Sequence, residues 1–169
     1  MPEKETIERA KEDEREGKSP STQAGEFVRE EMHHVREGKH GARSPQQAIA
    51  IGLSKARRAG VKLRAPKAGR ASAQTRTKAQ RDIRKGQSSR RRKPSATRSR
   101  ATSRALKREP RSSVSQKSLA RQAHTAAQKR GSTSRRQAAM KAVRTKGKTG
   151  LKQAARKAAS TRQRHQKAA

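Results

Sequence analysis

The chain has 169 residues, and its 47 lysines and arginines against 13 acidic residues give a formal net charge of +34. Cysteine is absent and Phe27 is the single aromatic residue, which excludes a disulfide framework, a thiolate metal site and an aromatic core. Since 27% of the residues are apolar and 36% are charged, we expect a mostly disordered chain that contains one small all-α element.

Residues 1–18 form a charged N-terminal segment in which Ile7 and Ala10 are the main apolar side chains. Helix-forming residues are abundant here but leave little apolar face to bury, so we predict a solvated, frayed helix. Residues 1–37 carry eleven of the acids and seven bases, a net charge of −4, whereas residues 38–169 carry 40 bases and two acids, a net charge of +38. An acidic segment therefore precedes a long basic one.

Residues 19–65 are predicted to fold as a helical hairpin over about residues 20–60. Apolar residues recur at spacings of three and four along both helices, as expected when one face of each helix is buried. About 40 residues rarely supply a self-sufficient core, so we expect marginal stability, or folding by dimerisation or on binding a partner. The predicted core residues are Phe27, Val28, Met32, Val35, Ile49 and Leu53.

Capping residues set the predicted ends of the two hairpin helices. Ser19 or Ser21 is suited to cap the first helix, and Gly38 to end it. A capping box that begins at Ser44 starts the second helix, and Gly60 ends it.

Residues 66–114 are predicted to be a disordered linker, because like charges repel one another and Pro and Ser resist helix formation. Residues 115–169 contain a degenerate repeat of three Ala-rich blocks, which begin at Arg121, Arg136 and Lys152. Alanine favours helix and repulsion between cations opposes it, so we predict marginal helices that become ordered on DNA or RNA.

The basic segment is the strongest functional signal in the sequence. A cation beside a phosphate releases condensed counterions, and no aromatic residue follows Phe27 to stack on bases. We predict non-sequence-specific binding of nucleic acid, DNA in preference to RNA, by phosphate neutralisation. The predicted contact residues are Lys55, Arg57, Arg58, Lys62, Arg64, Arg90, Arg91, Arg92, Lys93, Arg121, Lys129, Arg130, Arg135, Arg136, Lys141, Arg144, Lys146, Lys148, Lys152, Arg156 and Lys157.

His33, His34 and His40 were considered as metal ligands. Adjacent helical residues point about 100° apart, and the sequence pattern offers no obvious carboxylate or cysteine to complete a site. We therefore predict solvent-facing histidines, no metal and no cofactor. A disordered chain cannot preorganise a nucleophile and a base, so we also predict that the protein is not an enzyme.

A resemblance covers about residues 1–65. It rests on the segments STQAGEFVREEMHH (21–34), GKHGARS (38–44) and QAIAIGLSKARRAGVKL (47–63). These resemble a family of small basic proteins, found mainly in proteobacteria, that is a domain of unknown function. The resemblance implies a bacterial, cytoplasmic setting and brings no activity, cofactor or catalytic residue.

The tail, residues 66–169, looks like the Ala/Lys-rich tails of bacterial linker-histone-like proteins, although it is richer in Arg, Ser and Gln. We therefore expect a nucleoid-associated protein. The alternatives are an RNA- or ribosome-associated protein, and a stress-related adaptor whose hairpin binds a protein partner or a second copy.

No membrane partner is expected, because the longest apolar run spans six residues against the roughly 20 needed to cross a bilayer. The first residues lack the basic and apolar regions of a secretory signal. The predicted location is the cytoplasm, at the nucleoid.

Overall fold

The computed structural model describes residues 2–88 and 95–167, and the regular structure within those residues is helical, with no strand. The prediction of a mostly disordered chain is wrong, because helices occupy most of the described residues. The chain divides into two units, residues 1–122 and residues 123–169. The helices are α1 (Lys4–Arg15), α2 (Pro20–Arg36), α3 (Pro45–Arg58), α4 (Ala73–Gln87), α5 (Ala96–Lys107), α6 (Gln116–Lys129) and α7 (Gly131–Lys167), with a 3₁₀ helix at Ser112–Val114.

The predicted hairpin is confirmed as α2 and α3, and its caps are local. Ser19, not Ser21, caps α2, because its hydroxyl accepts a hydrogen bond from a backbone amide of the first turn. The Ser44 hydroxyl likewise accepts from the Gln47 amide at 3.2 Å and begins α3. Gly38 and Gly60 follow the two helices with φ of +80° and +102°, a conformation that side chains with a Cβ rarely adopt.

Two apolar clusters hold the hairpin together. One surrounds Phe27 and the other contains Met32 and Val35, and all three residues are buried as predicted. The remaining predicted core residues are half-buried and pack against the clusters; they are Val28, Ile49 and Leu53.

The α1 helix is part of this core, so the prediction of a frayed, solvated helix is wrong. Thr6 is fully buried and Ala10 is 5% exposed, packed in the cluster around Phe27. Small side chains of this kind let helices approach closely. The core therefore buries more surface than its few large apolar residues indicate.

The described residues of the predicted linker, 66–88 and 95–114, are largely helical, so the prediction that they are disordered is wrong. The α4 helix packs on α3, where Ala79 is buried and the Ser54 hydroxyl donates a 2.6 Å hydrogen bond to Asp82. Farther along the chain, Val114 is fully buried in the cluster of Met32 and Val35. These few contact residues lie among many cations, so the composition of the segment does not reveal them.

The second unit contains the end of α6 and all of α7. Gly131, with φ of +76°, separates α6 from α7, and Gly147 (φ +63°, ψ 175°) interrupts α7. Met140 and Val143 are exposed, so this unit buries little of its apolar surface. None of the helices in residues 2–88 and 95–167 is both long and apolar enough to cross a membrane.

Candidate nucleic-acid interface and a buried ionic cluster

Two of the predicted phosphate-binding residues pack inside the first unit instead, where Arg57 is buried and Lys55 is half-buried. The Lys55 side chain is 15% exposed and its Nζ atom lies 3.1 Å from Glu30 and 2.6 Å from Glu31. Arg57 is 8% exposed, and burial lowers the pKa of its guanidinium. Their assignment to a nucleic-acid surface is corrected, because packing on α2 and α4 occupies the face of α3 that carries them.

The next predicted contact residues lie at the surface, close to acidic side chains. Arg58 Nε is 3.7 Å from Asp82, and Lys62 Nζ is 3.3 Å from Glu14. Arg64 is exposed. The predicted cluster Arg90, Arg91, Arg92 and Lys93 lies outside the described residues.

The predicted contact residues of the tail are all exposed. They lie on α6, on α7 or at the junction between them: Arg121, Lys129, Arg130, Arg135, Arg136, Lys141, Arg144, Lys146, Lys148, Lys152, Arg156 and Lys157. Residues 123–169 contain 14 lysines and arginines and no Asp or Glu, so this unit has no acidic side chain of its own with which to pair them. Its helices therefore present cations that no carboxylate within the unit neutralises.

A second feature of the first unit is a buried ionic cluster, here called the Glu31 cluster. It comprises Glu3, Glu30, Glu31, His34, His40 and Lys55. Its carboxylates come mainly from α2, its lysine from α3, and His40 from the loop after α2. Glu31 is fully buried, and it is among the largest fully buried side chains of the described residues.

The oxygens of Glu31 have charged neighbours but poorly aligned ones. Lys55 Nζ is 2.6 Å from Oε2 and His40 Nε2 is 3.1 Å from Oε1. Within the part of the chain that the structure describes, neither oxygen has a partner in hydrogen-bond geometry. Close ion pairs therefore compensate the negative charge, while the directional hydrogen-bonding capacity of this carboxylate stays unfilled.

The histidines of the Glu31 cluster are not solvent-facing, so that prediction holds for His33 alone. His34 is 9% exposed, and His40 is half-buried. The two rings meet edge to face with their centres 6.2 Å apart. Their arrangement follows from two signals in the sequence: Glu31 and His34 are one turn apart on α2, and the left-handed Gly38 turns the chain so that His40 returns to that helix.

Each ring uses one nitrogen to contact an oxygen acceptor. His34 Nε2 is 2.9 Å from Glu3 Oε1, and His40 Nδ1 is 3.0 Å from the carbonyl oxygen of Gly41. Lys39 donates a further 3.1 Å hydrogen bond to Glu3. The hydrogen bond with His34 and then that with Lys39 lower the pKa of Glu3 from its ordinary value of 4.5 to about 2.

A cleft of about 190 Å³ opens beside the cluster, and its walls include Glu3, Glu30 and His34. Glu31, His34 and His40 each offer one ligand atom, and these three atoms lie within 4.8 Å of one another. The arrangement therefore has the donor types that a small cation requires.

Comparisons with protein-family models, with curated proteins and with solved structures found no match to this chain. The resemblance of residues 1–65 to a family of small basic proteins stays a prediction.

Proposed function

We propose that the protein binds nucleic acid, DNA in preference to RNA, through phosphate neutralisation and without reading base sequence. The observation that carries the proposal is the second unit, whose described helices present exposed cations and whose sequence contains no acid. Double-stranded DNA carries one negative charge per roughly 1.7 Å of axis, so closely spaced helical cations suit it. On this proposal the protein is located at the nucleoid and is not an enzyme.

Charge along the chain supports the tail, not the hairpin, as the binding surface. Residues 1–63 carry 13 bases and 11 acids, whereas residues 64–169 carry 34 bases and two acids. Lys55 and Arg57 belong to the first group, and they are half-buried and buried, respectively. A polyanion is thus attracted to the part of the chain after residue 63, where cations greatly outnumber carboxylates.

The helices of the second unit are suited to this kind of contact. Repulsion between neighbouring cations opposes α7, and phosphates relieve that repulsion when they bind. Arginine and lysine on a helix contact backbone phosphates without specifying bases, and residues 28–167 contain no aromatic side chain to stack on them.

The test is a salt titration of DNA binding with two charge-matched variants of the full chain. The tail variant replaces four exposed cations of α7 with Gln: Arg135, Arg136, Lys141 and Arg144. The control variant removes the same charge from the first 63 residues by replacing four exposed cations with Gln: Lys4, Lys11, Arg15 and Arg43. The slope of log affinity against log salt should become shallower by about 3 to 4 in the tail variant, and change little in the control.

Equal effects of the two variants would show that net charge alone attracts the polyanion and that the tail is not a binding surface. Duplex RNA and heparin are titrated alongside, because the same cations would serve an RNA-associated protein. Equal, shallow binding to all three polyanions that vanishes at ~150 mM salt would contradict a DNA-binding function.

A further inference from the structure

We infer that Glu31, His34 and His40 form a binding site for a divalent cation of the zinc type, separate from the nucleic-acid surface. Two imidazoles and one carboxylate are the ligands that Zn²⁺ takes when it keeps a fourth position for water. The three ligand atoms lie within 4.8 Å of one another. A tetrahedral ion with bonds of about 2.1 Å requires ligand atoms about 3.4 Å apart, so movement of roughly 1.5 Å or less closes the site.

The buried carboxylate is the first independent support. Glu31 is fully buried, and both oxygens lack a partner in hydrogen-bond geometry among the described residues. Lys55 lies beside Oε2, which leaves Oε1 directed to His40. Burying a carboxylate in this state is costly unless a cation lies close to each oxygen, and a metal ion at Oε1 meets that need.

The position of the His40 ring is the second support. Its Nδ1 atom lies 3.0 Å from the Gly41 carbonyl oxygen, and its Nε2 atom lies 3.1 Å from Glu31 Oε1. An imidazole nitrogen and a carboxylate oxygen, both of them ligand types for Zn²⁺, thus already face each other.

The surroundings of the histidines match those of metal ligands. A ligating histidine usually holds its other ring nitrogen against a carboxylate or a backbone carbonyl, which fixes the tautomer. Glu3 contacts His34 Nε2 in this way, and Gly41 contacts His40 Nδ1. The cleft lined by Glu3, Glu30 and His34 opens onto His34, one of the three proposed ligands.

A metal at this site would stabilise the loop after α2. That loop positions the 106–114 segment, because the Gly41 amide donates to Leu106 at 2.8 Å and the Ala42 amide donates to Pro110 at 3.2 Å. Holding His40 against α2 thus also holds the docking surface for Val114, which packs beside Ala42. The expected effect of the metal is therefore to order this loop.

The experiment uses the full chain, stripped of metal with a chelator and titrated at pH 7.5 with Co²⁺ as a spectroscopic stand-in and then with Zn²⁺ as competitor. We expect the visible absorption of a four-coordinate Co²⁺ site, lost on addition of one equivalent of Zn²⁺. H40A should abolish the band, whereas H33A, which removes an exposed neighbour, should keep it. E3Q should weaken binding by roughly 10- to 100-fold, as loss of an orienting carboxylate does.

Two measurements keep the result independent of folding defects. Circular dichroism shows whether H40A keeps the helix content of the metal-free parent. X-ray absorption of the Zn²⁺-loaded parent should show two imidazoles and oxygen ligands, with no variant needed. A parent that binds neither metal, a band of equal strength in H33A and H40A, or a His40 ring that NMR shows to be doubly protonated in the presence of Zn²⁺ would each overturn the inference.

Discussion

Gly52 of α3 packs closely against the backbone of α2, and replacing it with Ala tests that contact. A Cβ atom at Gly52 would lie 2.7 Å from Val28 Cα and 3.0 Å from the Phe27 carbonyl oxygen, backbone atoms that cannot rotate away. Gly25, inside α2, has nothing within 4 Å of the same position. Both residues are glycines within helices, but a Cβ atom is crowded at Gly52 and has open space at Gly25.

The magnitudes follow from two terms that act on the free energy of unfolding. Each substitution gains about 0.8–1 kcal/mol of helix propensity, so G25A should be stabilised by about that amount. At Gly52 the extra methyl must push two backbones apart, and overpacking of this kind costs about 1–3 kcal/mol. The two variants should therefore differ by about 1–3 kcal/mol, with G52A the less stable.

Thermal unfolding of the full chain, followed by circular dichroism at 222 nm, measures the difference. Both variants keep the second unit unchanged, so the shift between them reports the first unit. One kcal/mol corresponds to about 4–8 °C in a domain of 60–100 residues, and to somewhat less in a larger one. Equal melting temperatures would refute the close contact of α2 with α3.

Two further predictions concern the packing of the 106–119 segment and the ion pair at the start of α1. V114A should lower the free energy of unfolding by about 1.5–3 kcal/mol, because Val114 is fully buried. V143A, at a side chain that is 46% exposed, should change it by no more than about 0.5 kcal/mol. Urea titration measures both variants, and equal effects would place Val114 outside the core. The pKa of Glu3 is lowered in the folded chain, so its contribution to stability is complete above its ordinary pKa of 4.5 and is lost as the pH falls towards about 2. NMR titration of the metal-free chain should find the Glu3 midpoint near 2, and a midpoint near 4.5 would contradict the contact with His34 and Lys39.

Local signals made the hairpin predictable. The caps at Ser19 and Ser44 and the glycines after each helix act through neighbouring backbone groups, so the sequence alone contains the information. The apolar spacing likewise identified Phe27 as a core residue. Helix ends and the buried faces of α2 and α3 were therefore predicted closely.

The contacts that were missed join residues far apart in the chain. Val114 packs against α2, and Asp82 bonds to Ser54, but each is a single residue within a strongly basic segment. Composition averages over such residues, and it led to the prediction of disorder. Sequence reasoning could instead have noticed that the two acids of residues 38–169, Asp82 and Glu109, are rare enough to suggest specific roles.

The Glu31 cluster shows why charge does not reveal burial. Lys55 is a predicted phosphate contact, yet its half-buried ammonium group lies against the Glu30 and Glu31 carboxylates and compensates their negative charge. The spacing of the histidines alone predicts solvent-facing side chains. In the structure, Glu31 lies one helical turn from His34, and the turn at Gly38 brings His40 back to the same helix. Whether these charged side chains are buried or exposed depends on how α3 packs on α2, and the sequence pattern does not specify that packing.

The division of charge gives the folded part of the chain a role in the proposed function. Residues 1–63 are nearly neutral, with 13 bases and 11 acids, so they add little attraction for a polyanion. The Ser54 hydroxyl of α3 nevertheless bonds to Asp82 of α4, and Asp82 also lies near Arg58. One of the two acids in residues 64–169 thus holds α4, the first helix of the basic region, against the neutral hairpin. The Ser54–Asp82 contact thus attaches the cations of α4 to the hairpin, whereas the cations of α7 lie in a unit without acids.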